Sequence, residues 1–371
     1  MRLVYLTTLN YPSETATNQQ AKAMAVAFHG LLGNQFVFVA NRIRNPEIFS
    51  GIKVENIDCN WRRFRTIYGI WWLIRHAKIL IAGDRQAVLY TKDSYLCAIA
   101  ILLRPFLGYR VAFESHLIYH SWRDLLIAKQ CDAIFTVTAF LKSSLVKDFG
   151  AAESKVTVAP DAVDLSVFDI SMDRETARER LDLPKDKKIF VYTGRFKTLG
   201  MDKGIAVALE ALKSMNDQQL VVLAIGGSKS DVDEYKAIAN RLGVGGQSIF
   251  IGYVSQSKLA LYQKAADALL MPFPYSEHFA YYMSPLKMFE YMASRVPIIA
   301  SDLPAVRDVL DESTALIVKP GDPKSLAEAM NEVAYGGQRV EELAMAAYEK
   351  VKEYTWQKRA RKIIDFISHR T

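Results

Sequence analysis

A lysine and a glutamate lie three residues apart in the segment Ser284 to Ala293, which reads Ser-Pro-Leu-Lys-Met-Phe-Glu-Tyr-Met-Ala. Ser284 can cap a helix that begins at Pro285, where the missing N–H costs nothing. The free N–H groups of the first turn attract phosphate, and Lys287 adds a positive charge. Glu290 projects from nearly the same helix face as Lys287. The pattern predicts a nucleotide site, with diphosphate at the helix start and ribose hydroxyls on the carboxylate. The alternative is a capped helix with a Lys/Glu surface pair.

Two further basic residues follow an apolar run that ends at Gly194. Glycine lets the backbone turn closely past a ligand, and Arg195 comes next, at the carboxyl end of the predicted strand. Lys203 lies at the start of the following helix. A guanidinium fork and an ammonium suit the two phosphates of a nucleoside diphosphate and would stabilise its departure. A solvated basic loop is the alternative interpretation.

A third strand-end loop contains Gly252, Tyr253 and Val254. Glycine permits close backbone approach, so backbone groups in this loop could read the edge of a nucleobase. Ser255 predicts an N-cap for the next helix.

Composition indicates a folded protein of two domains, since 371 residues that are 50% apolar and 23% charged can bury two cores. The cysteines Cys59, Cys97 and Cys131 have no metal-ligand spacing, which predicts reduced thiols in a cytoplasmic protein. A signal peptide is not expected, because Met1 to Leu6 already reads as the start of a strand-like run.

The net charge of +7 is uneven, because residues 1–165 hold 19 Lys and Arg against 13 Asp and Glu. An anionic partner for the first half is therefore expected. Nucleic acid is disfavoured, since no recognition motif or basic repeat is present.

Short apolar runs alternate with helical patterns along the chain. This alternation predicts parallel sheets covered on both faces and two doubly wound domains. The expected domains are residues 1–168 and 169–353, with a final helix at 354–371 packed back on the first domain. No GxGxxG follows the first strand, so the usual dinucleotide fingerprint is absent, and the ligand is expected between the two domains. Strands are predicted at 2–7, 35–40, 52–57, 87–91, 109–114, 132–137, 155–159, 188–193, 219–225, 248–251, 268–272, 296–300 and 315–318, and helices of the first domain at 16–32, 63–82, 94–106, 119–130 and 139–148.

Residues 61–82 form a basic, aromatic stretch with helical spacing of its apolar residues. Its charges exclude a spanning helix of about 20 apolar residues. A basic helix edged by tryptophan is typical of a contact with an anionic membrane surface, and an ordinary helix packed on the sheet is the alternative. The expected membrane-contact residues are Arg62, Arg63, Arg65, Trp71, Trp72 and Arg75.

Taken together, these pieces resemble the large family 4 of retaining glycosyltransferases with the GT-B fold. The resemblance spans most of the chain and is strongest from about 155 to 356. The segments on which the resemblance rests occur in the same order as in the family: 158–165 with Phe168, Gly194-Arg195, Lys203-Gly204, 252–254, 266–272, 284–293 and 296–301.

The resemblance implies transfer of a sugar from a nucleotide diphosphate sugar to a hydroxyl of a glycan or lipid-linked glycan, with retention. Cell-envelope polysaccharide or glycolipid synthesis is the expected setting, and the inner face of the plasma membrane the expected location. It implies no cofactor and no metal, because protein charges stabilise the diphosphate. The implied catalytic residues are Arg195, Lys203 and His116; the implied donor-binding residues are Gly194, Tyr253, Val254, Tyr282, Ser284, Leu286, Lys287 and Glu290.

His116 ends the predicted strand at 109–114, where many family members have a histidine near the donor sugar. Glu114 and His120 are reserves for that role. No general base is assigned, since the departing phosphate oxygen is expected to accept the acceptor's proton.

Two departures from the family pattern stand out. Tyr282 occupies the position where relatives often have the first of two glutamates, so the identity of the donor stays open. Asp161-Ala162 replaces a common Asn-Gly turn. Two other functions remain as alternatives, a nucleotide-sugar epimerase on the same fold and a non-catalytic scaffold protein.

Overall fold

A computed structural model describes residues 1–13, 15–59, 64–81 and 87–369. The chain divides into two compact units, one formed by Met1–Asp161 with Trp356–Thr371 and the other by Ala162–Thr355.

Within the described residues, the first unit is built on a seven-stranded parallel sheet of order β5-β3-β1-β6-β7-β8-β9. The sheet reverses its direction of growth between β1 and β6, as in a doubly wound Rossmann-like domain. The strands are β1 (Leu3–Leu6), β2 (Asn10–Tyr11), β3 (Phe36–Ala40), β4 (Arg42–Ile43), β5 (Lys53–Asn56), β6 (Val88–Thr91), β7 (Arg110–Ser115), β8 (Ala133–Thr136) and β9 (Val156–Val158), and the helices α1 (Ala16–Leu32), α2 (Arg65–Ile81), α3 (Ser94–Leu107), α4 (Trp122–Gln130) and α5 (Ala139–Lys147).

The second unit repeats this plan with a six-stranded parallel sheet, counted over its described residues, of order β14-β13-β10-β15-β16-β17. Its switch point lies between β10 and β15. The strands are β10 (Lys188–Thr193), β11 (Lys197–Thr198), β12 (Met201–Asp202), β13 (Leu220–Gly227), β14 (Ser248–Gly252), β15 (Ala268–Met271), β16 (Ile298–Ser301) and β17 (Leu316–Val318), and the helices α6 (Leu165–Phe168), α7 (Arg174–Arg180), α8 (Ile205–Met215), α9 (Lys229–Leu242), α10 (Gln256–Lys264), α11 (Glu277–Tyr281), α12 (Leu286–Ala293), α13 (Pro304–Arg307), α14 (Pro323–Tyr335) and α15 (Gln338–Val351).

The last helix, α16 (Trp356–Ser368), belongs to the first unit and packs against α1. Arg359 anchors it, since the guanidinium donates to the carbonyl oxygens of Ala159 and Pro160 at 3.0 and 2.7 Å. The same guanidinium reaches the buried carboxylate of Glu114 at 3.2 Å.

Each predicted strand is confirmed to within two residues at either end, because strands buried on both faces are nearly continuous apolar runs. The pairs β2–β4 and β11–β12 were not predicted. They are two-residue strands of mostly polar sequence, and such segments carry no apolar signal.

Candidate functional site

The switch point of the second sheet brings two loops close together. β10 is followed by Gly194 with a φ of 102°, and a Cβ there would lie 3.4 Å from the Cε and Nζ of Lys287. Gly204 has a φ of 93°, and a Cβ there would lie 1.9 Å from the carbonyl oxygen of Pro272, just beyond β15. Only glycine fits this approach, so the backbone after β10 is held against the backbone after β15 and against Lys287.

Lys287 is buried, with 7% of its surface exposed, and its ammonium has no hydrogen-bond acceptor among the described residues. The Nζ atom instead lies 3.5 Å from the ring centroid of Tyr192 and 5.5 Å from that of Phe273. Burial and the nearby charge of Lys203 hold its pKa well below the ordinary value. An anion bound here would supply the missing acceptor and favour the charged amine.

Lys203 adds a second amine to the same region. Burial and the charge of Arg195 lower the pKa of Lys203 to about 8. Burial and the charge of Lys203 in turn lower the pKa of His278. These mutual effects, together with the influence of Lys203 on Lys287, indicate a local excess of positive charge. Such an excess suits a diphosphate.

Glu290 is the acidic partner of this cluster and is also only 7% exposed. Burial raises its pKa to about 7, although the charge of Lys287 and a hydrogen bond from Gln263 oppose the rise. The Gln263 amide donates to Oε2 at 3.4 Å. The remaining lone pairs of the carboxylate can accept bonds from vicinal hydroxyls. Since both side chains are buried, the alternative of a Lys/Glu surface pair is wrong.

The start of α12 differs from the prediction by one position. The helix begins at Leu286, and its N-cap is Pro285 in an extended conformation, with a φ of −76° and a ψ of 125°. Ser284 therefore precedes the cap rather than forming it. Pro285 makes no side-chain capping hydrogen bond of its own, and the first-turn N–H groups of such a helix are the groups that donate to a bound anion.

The other predicted donor-site residues lie on neighbouring elements of the second unit. Tyr253, at the carboxyl end of β14, is 55% exposed, and Val254 beside it is half-buried. Ser255 caps α10 as predicted, since its side chain accepts from the backbone N–H of Lys258. Tyr282 directly follows α11 and is half-buried.

The first unit holds a separate polar cluster around Glu114, which is 1% exposed. Glu114 Oε1 lies 2.6 Å from His116 Nε2 and accepts from the Gln20 amide at 2.6 Å. Burial would raise the pKa of Glu114, but Arg359 and His116 hold it well below its usual range. The Gln20 amide also donates to Asp161 at 2.7 Å. His116, at the end of β7, is thus held by a charged carboxylate.

Lys92 follows β6 at the same edge and completes this cluster. Its ammonium donates to Gln20 Oε1 at 2.9 Å, and burial lowers its pKa to about 8. His120, the other reserve, is exposed and has a positive φ of 52°.

Sequence reasoning missed several of these side chains. Lys92 and Gln20 belong to the cluster in the first unit, and Gln263, Tyr192 and Phe273 to the one in the second. The only available signal was position, because Lys92 directly follows a predicted strand and Tyr192 lies in the strand that ends at Gly194.

The predicted membrane-contact residues divide into three groups. Trp71 is 53% exposed, with the guanidinium carbon of Arg75 5.0 Å from its ring centroid. Trp72 is only 3% exposed because it lies on the inner face of α2, so its prediction as a contact residue is corrected. Arg62 and Arg63 lie outside the described residues, and of Arg65 only the backbone, which opens α2, is described.

Two further features are absent from the described residues. None of their helices is both long and apolar enough to span a bilayer. No group of three or more His, Cys, Asp or Glu side chains in that part of the chain is arranged to hold a metal ion.

Two Rossmann-like domains of this topology define the GT-B fold. The chain superposes over its whole length on HepE from Anabaena in complex with UDP, with a TM-score of 0.78, 13% identity and 100% of each chain covered. It also superposes on a glycosyltransferase from Rickettsia africae with a TM-score of 0.79 and 16% identity, covering 100% of this chain and 98% of that one.

Residues 173–350, just under half of the chain, match the family model described as Glycosyl transferases group 1. It is 28% identical over 253 residues to the D-inositol 3-phosphate glycosyltransferase of Nocardioides sp., covering 64% of this chain and 54% of that protein. It is 30% identical over 198 residues to the putative teichuronic acid biosynthesis glycosyltransferase TuaC of Bacillus subtilis, covering 53% of this chain and 46% of that protein. The matches therefore span about half the length of these curated relatives.

Proposed function

We propose that the protein transfers a sugar from a nucleotide diphosphate sugar to a hydroxyl group. The observation that carries this proposal is the arrangement at the switch point of the second sheet. Two amines with lowered pKa, Lys203 and Lys287, lie beside Arg195 and the buried carboxylate Glu290. The superposition on a structure that contains UDP and the names of the relatives support it.

The roles follow from where charge develops. When the bond between the sugar and the diphosphate breaks, negative charge grows on the departing phosphate oxygen. Arg195 and Lys203 stabilise that charge, and Lys287 with the helix start at Leu286 assists. Glu290 holds the ribose hydroxyls, and the main chain at Tyr253 and Val254 contacts the base.

We further propose retention of the anomeric configuration and independence of metal. In this mechanism the departing phosphate oxygen accepts the proton of the acceptor hydroxyl, so no protein base is required. The positive side chains take the place that a divalent ion would have beside the diphosphate. Tyr282, which follows α11, and Leu286, which opens α12, are assigned to the donor, and His116 is assigned a contact with the sugar.

The acceptor is proposed to be a glycan or lipid-linked glycan of the cell envelope. The name of the relative from Bacillus subtilis supports this class, as does the superposition, with a TM-score of 0.75 and 15% identity, on a lipopolysaccharide outer core galactosyltransferase. We also propose that the protein works in the cytoplasm at an anionic membrane surface, which its first unit contacts through α2.

The test is release of nucleoside diphosphate from a panel of nucleotide sugars by the purified chain, with and without chelator. The lysine substitution Lys203→Ala should abolish release. Lys236→Ala, at an exposed lysine of α9 in the same unit, should leave release unchanged and serves as the matched control. Loss of activity in chelator would overturn metal independence. Isomerised sugar without released diphosphate would favour an epimerase, and no turnover of any donor would favour a scaffold.

A further inference from the structure

The outer faces of α2, α3 and α4 in the first unit carry an unusual share of exposed apolar side chains. Over the described residues, 17 large hydrophobic side chains are exposed, and 11 of them lie between positions 64 and 125. Phe106 is 84% exposed and Trp122 61%, the first on α3 and the second on α4. Scattered single residues of this kind need no explanation, but a contiguous apolar patch marks an interaction site.

The three helices form one continuous surface, which we call the α2–α4 face. α3 packs between α2 and α4. α2 fits closely because Gly69 faces Leu96 of α3, where a Cβ would lie 2.9 Å from the leucine side chain. Arg123 of α4 links that helix to α3, since its guanidinium lies 3.9 Å from the ring centroid of Tyr95 on α3. The same guanidinium lies 5.1 Å from the ring centroid of Tyr119.

Exposure along α3 follows helical spacing. Tyr95, Leu102 and Phe106 are exposed while Leu96 and Ile101 are buried. α3 is therefore apolar on two faces, one against the sheet and one outward, and the outward face has no covering element among the described residues. Ordinary surface helices are polar on that side.

The net charge of residues 61–130 indicates which kind of partner the α2–α4 face binds. Residues 61–130 hold 11 Lys and Arg against 4 Asp and Glu, a balance of +7, which equals the net charge of the whole chain. Among the acids, Glu114 and Asp124 are buried and Asp93 caps the first turn of α3. Among the bases, Arg123 is buried and Arg104 pairs with Asp132 at 3.0 Å, whereas Arg75 and Lys129 are exposed. A second copy of this chain would bring two segments of like charge together, whereas an anionic bilayer offers both negative charge and an apolar layer.

We propose that the whole α2–α4 face docks on an anionic lipid bilayer, with Leu102, Phe106 and Trp122 entering the boundary between headgroups and acyl chains. This rests on the proposed membrane contact of α2 and extends it to two helices that sequence reasoning did not implicate. The face borders the polar cluster of the first unit, because Tyr95 follows Lys92 by three residues and Tyr119 follows His116 by three. A lipid-linked acceptor could thus reach that cluster without leaving the membrane.

An environment-sensitive dye on single cysteines of the full chain tests this placement. The native cysteines are all buried, so Phe106→Cys can be labelled selectively. Val26→Cys, on α1 of the same unit and 49% exposed, is the matched control. Ile74→Cys, 54% exposed on α2, reports the contact already proposed. The probes are vesicles of phosphatidylcholine with and without phosphatidylglycerol, at low and high salt.

The dyes at positions 106 and 74 should show a blue shift and a several-fold rise in emission, only with phosphatidylglycerol and more weakly at high salt. The dye at position 26 should show no change. A response at Ile74 without one at Phe106 would refute the α2–α4 face while leaving the α2 contact intact. No binding to any vesicle would refute both, whereas the sugar-transfer proposal is decided separately by donor turnover. A change that grows with protein concentration and needs no lipid would identify a second copy as the partner and overturn the proposal.

Vesicle sedimentation gives an independent measurement. The double substitution Phe106→Ser with Trp122→Ser should lower the partition coefficient on the order of tenfold or more, because two large apolar side chains no longer enter the bilayer. Tyr335→Ser with Met345→Ser, exposed positions of the second unit, should leave it unchanged. Equal effects of the two pairs would contradict the proposal.

Discussion

The substitution Glu290→Gln should stabilise the fold while weakening nucleotide binding. Burial raises the pKa of Glu290 from an ordinary value of 4.5 to about 7. Because each pKa unit corresponds to about 1.4 kcal/mol, keeping this carboxylate ionised costs about 3 kcal/mol at pH 8. Glutamine removes that cost, and its amide can donate to Gln263 Oε1, a buried oxygen without a hydrogen-bond partner in the described residues. Lys287 loses an attractive charge, so the expected net gain is about 2 kcal/mol.

The pH dependence of this gain follows from the direction of the shift. A carboxyl group whose pKa is raised by folding binds its proton more tightly in the folded state. Its contribution to the free energy of unfolding is present in full below pH 4.5 and is lost as pH rises through about 7. The difference between variant and wild type should therefore be small at pH 5 and grow to its full value by pH 8.

Urea unfolding followed by circular dichroism at several pH values measures this difference, and calorimetry with nucleoside diphosphates measures the accompanying loss of affinity. A pH-independent difference, or a variant less stable than wild type at pH 8, would refute the claim that the buried Glu290 carboxylate destabilises the fold when it is ionised. Unchanged affinity would refute its role in holding the ribose.

Three further predictions concern affinity and stability. Nucleoside diphosphate affinity should be greatest between about pH 7 and 8, because it needs Glu290 ionised and Lys203 protonated; calorimetry across pH checks this, and a flat profile would contradict it. Arg359→Met should cost about 3–5 kcal/mol in urea unfolding, because it leaves the Glu114 carboxylate buried without its cation, and a loss below about 1 kcal/mol would show that the pair is not needed. Gly204→Ala should lower both the melting temperature and donor turnover, since its Cβ would lie 1.9 Å from the Pro272 carbonyl oxygen; wild-type values would contradict the close approach.

The positions of the sheet strands were predictable because both sheets are parallel and covered on two sides. Such strands are short continuous apolar runs, as at Phe36–Ala40, where all five residues are buried. The hairpin of β11 and β12 begins two residues after Arg195 and contains Lys197 and Asp202. Its pairing depends on hydrogen bonds that leave no trace in the apolar pattern.

The candidate site was predictable where chemistry and spacing coincide in a short segment. Lys287 and Glu290 were expected together because they share one helix face. The burial of Lys287 on the ring of Tyr192 was not, because those residues lie 95 positions apart and meet only through the packing of β10 and α12. The same limit hid the contact between Glu114 and Arg359, which are separated by 245 positions.

The sequence did not show which face of α2 is buried, because apolar residues occur on more than one side of this helix. Trp71 and Trp72 are neighbours with the same chemistry, yet the first is 53% exposed and the second 3%. The difference is set by the packing of α2 against α3, where Gly69 fixes which face turns inward.

The most direct test of the central claim is a calorimetric titration of nucleoside diphosphates into wild type, Lys203→Ala and the control Lys236→Ala. At least one nucleoside diphosphate should bind wild type and the control alike. Lys203→Ala should bind it roughly tenfold to a hundredfold more weakly, because a hydrogen bond to a charged group is lost. Binding of no nucleoside diphosphate, or equal affinities for the two variants, would contradict the claim that the switch point of the second sheet is the donor site.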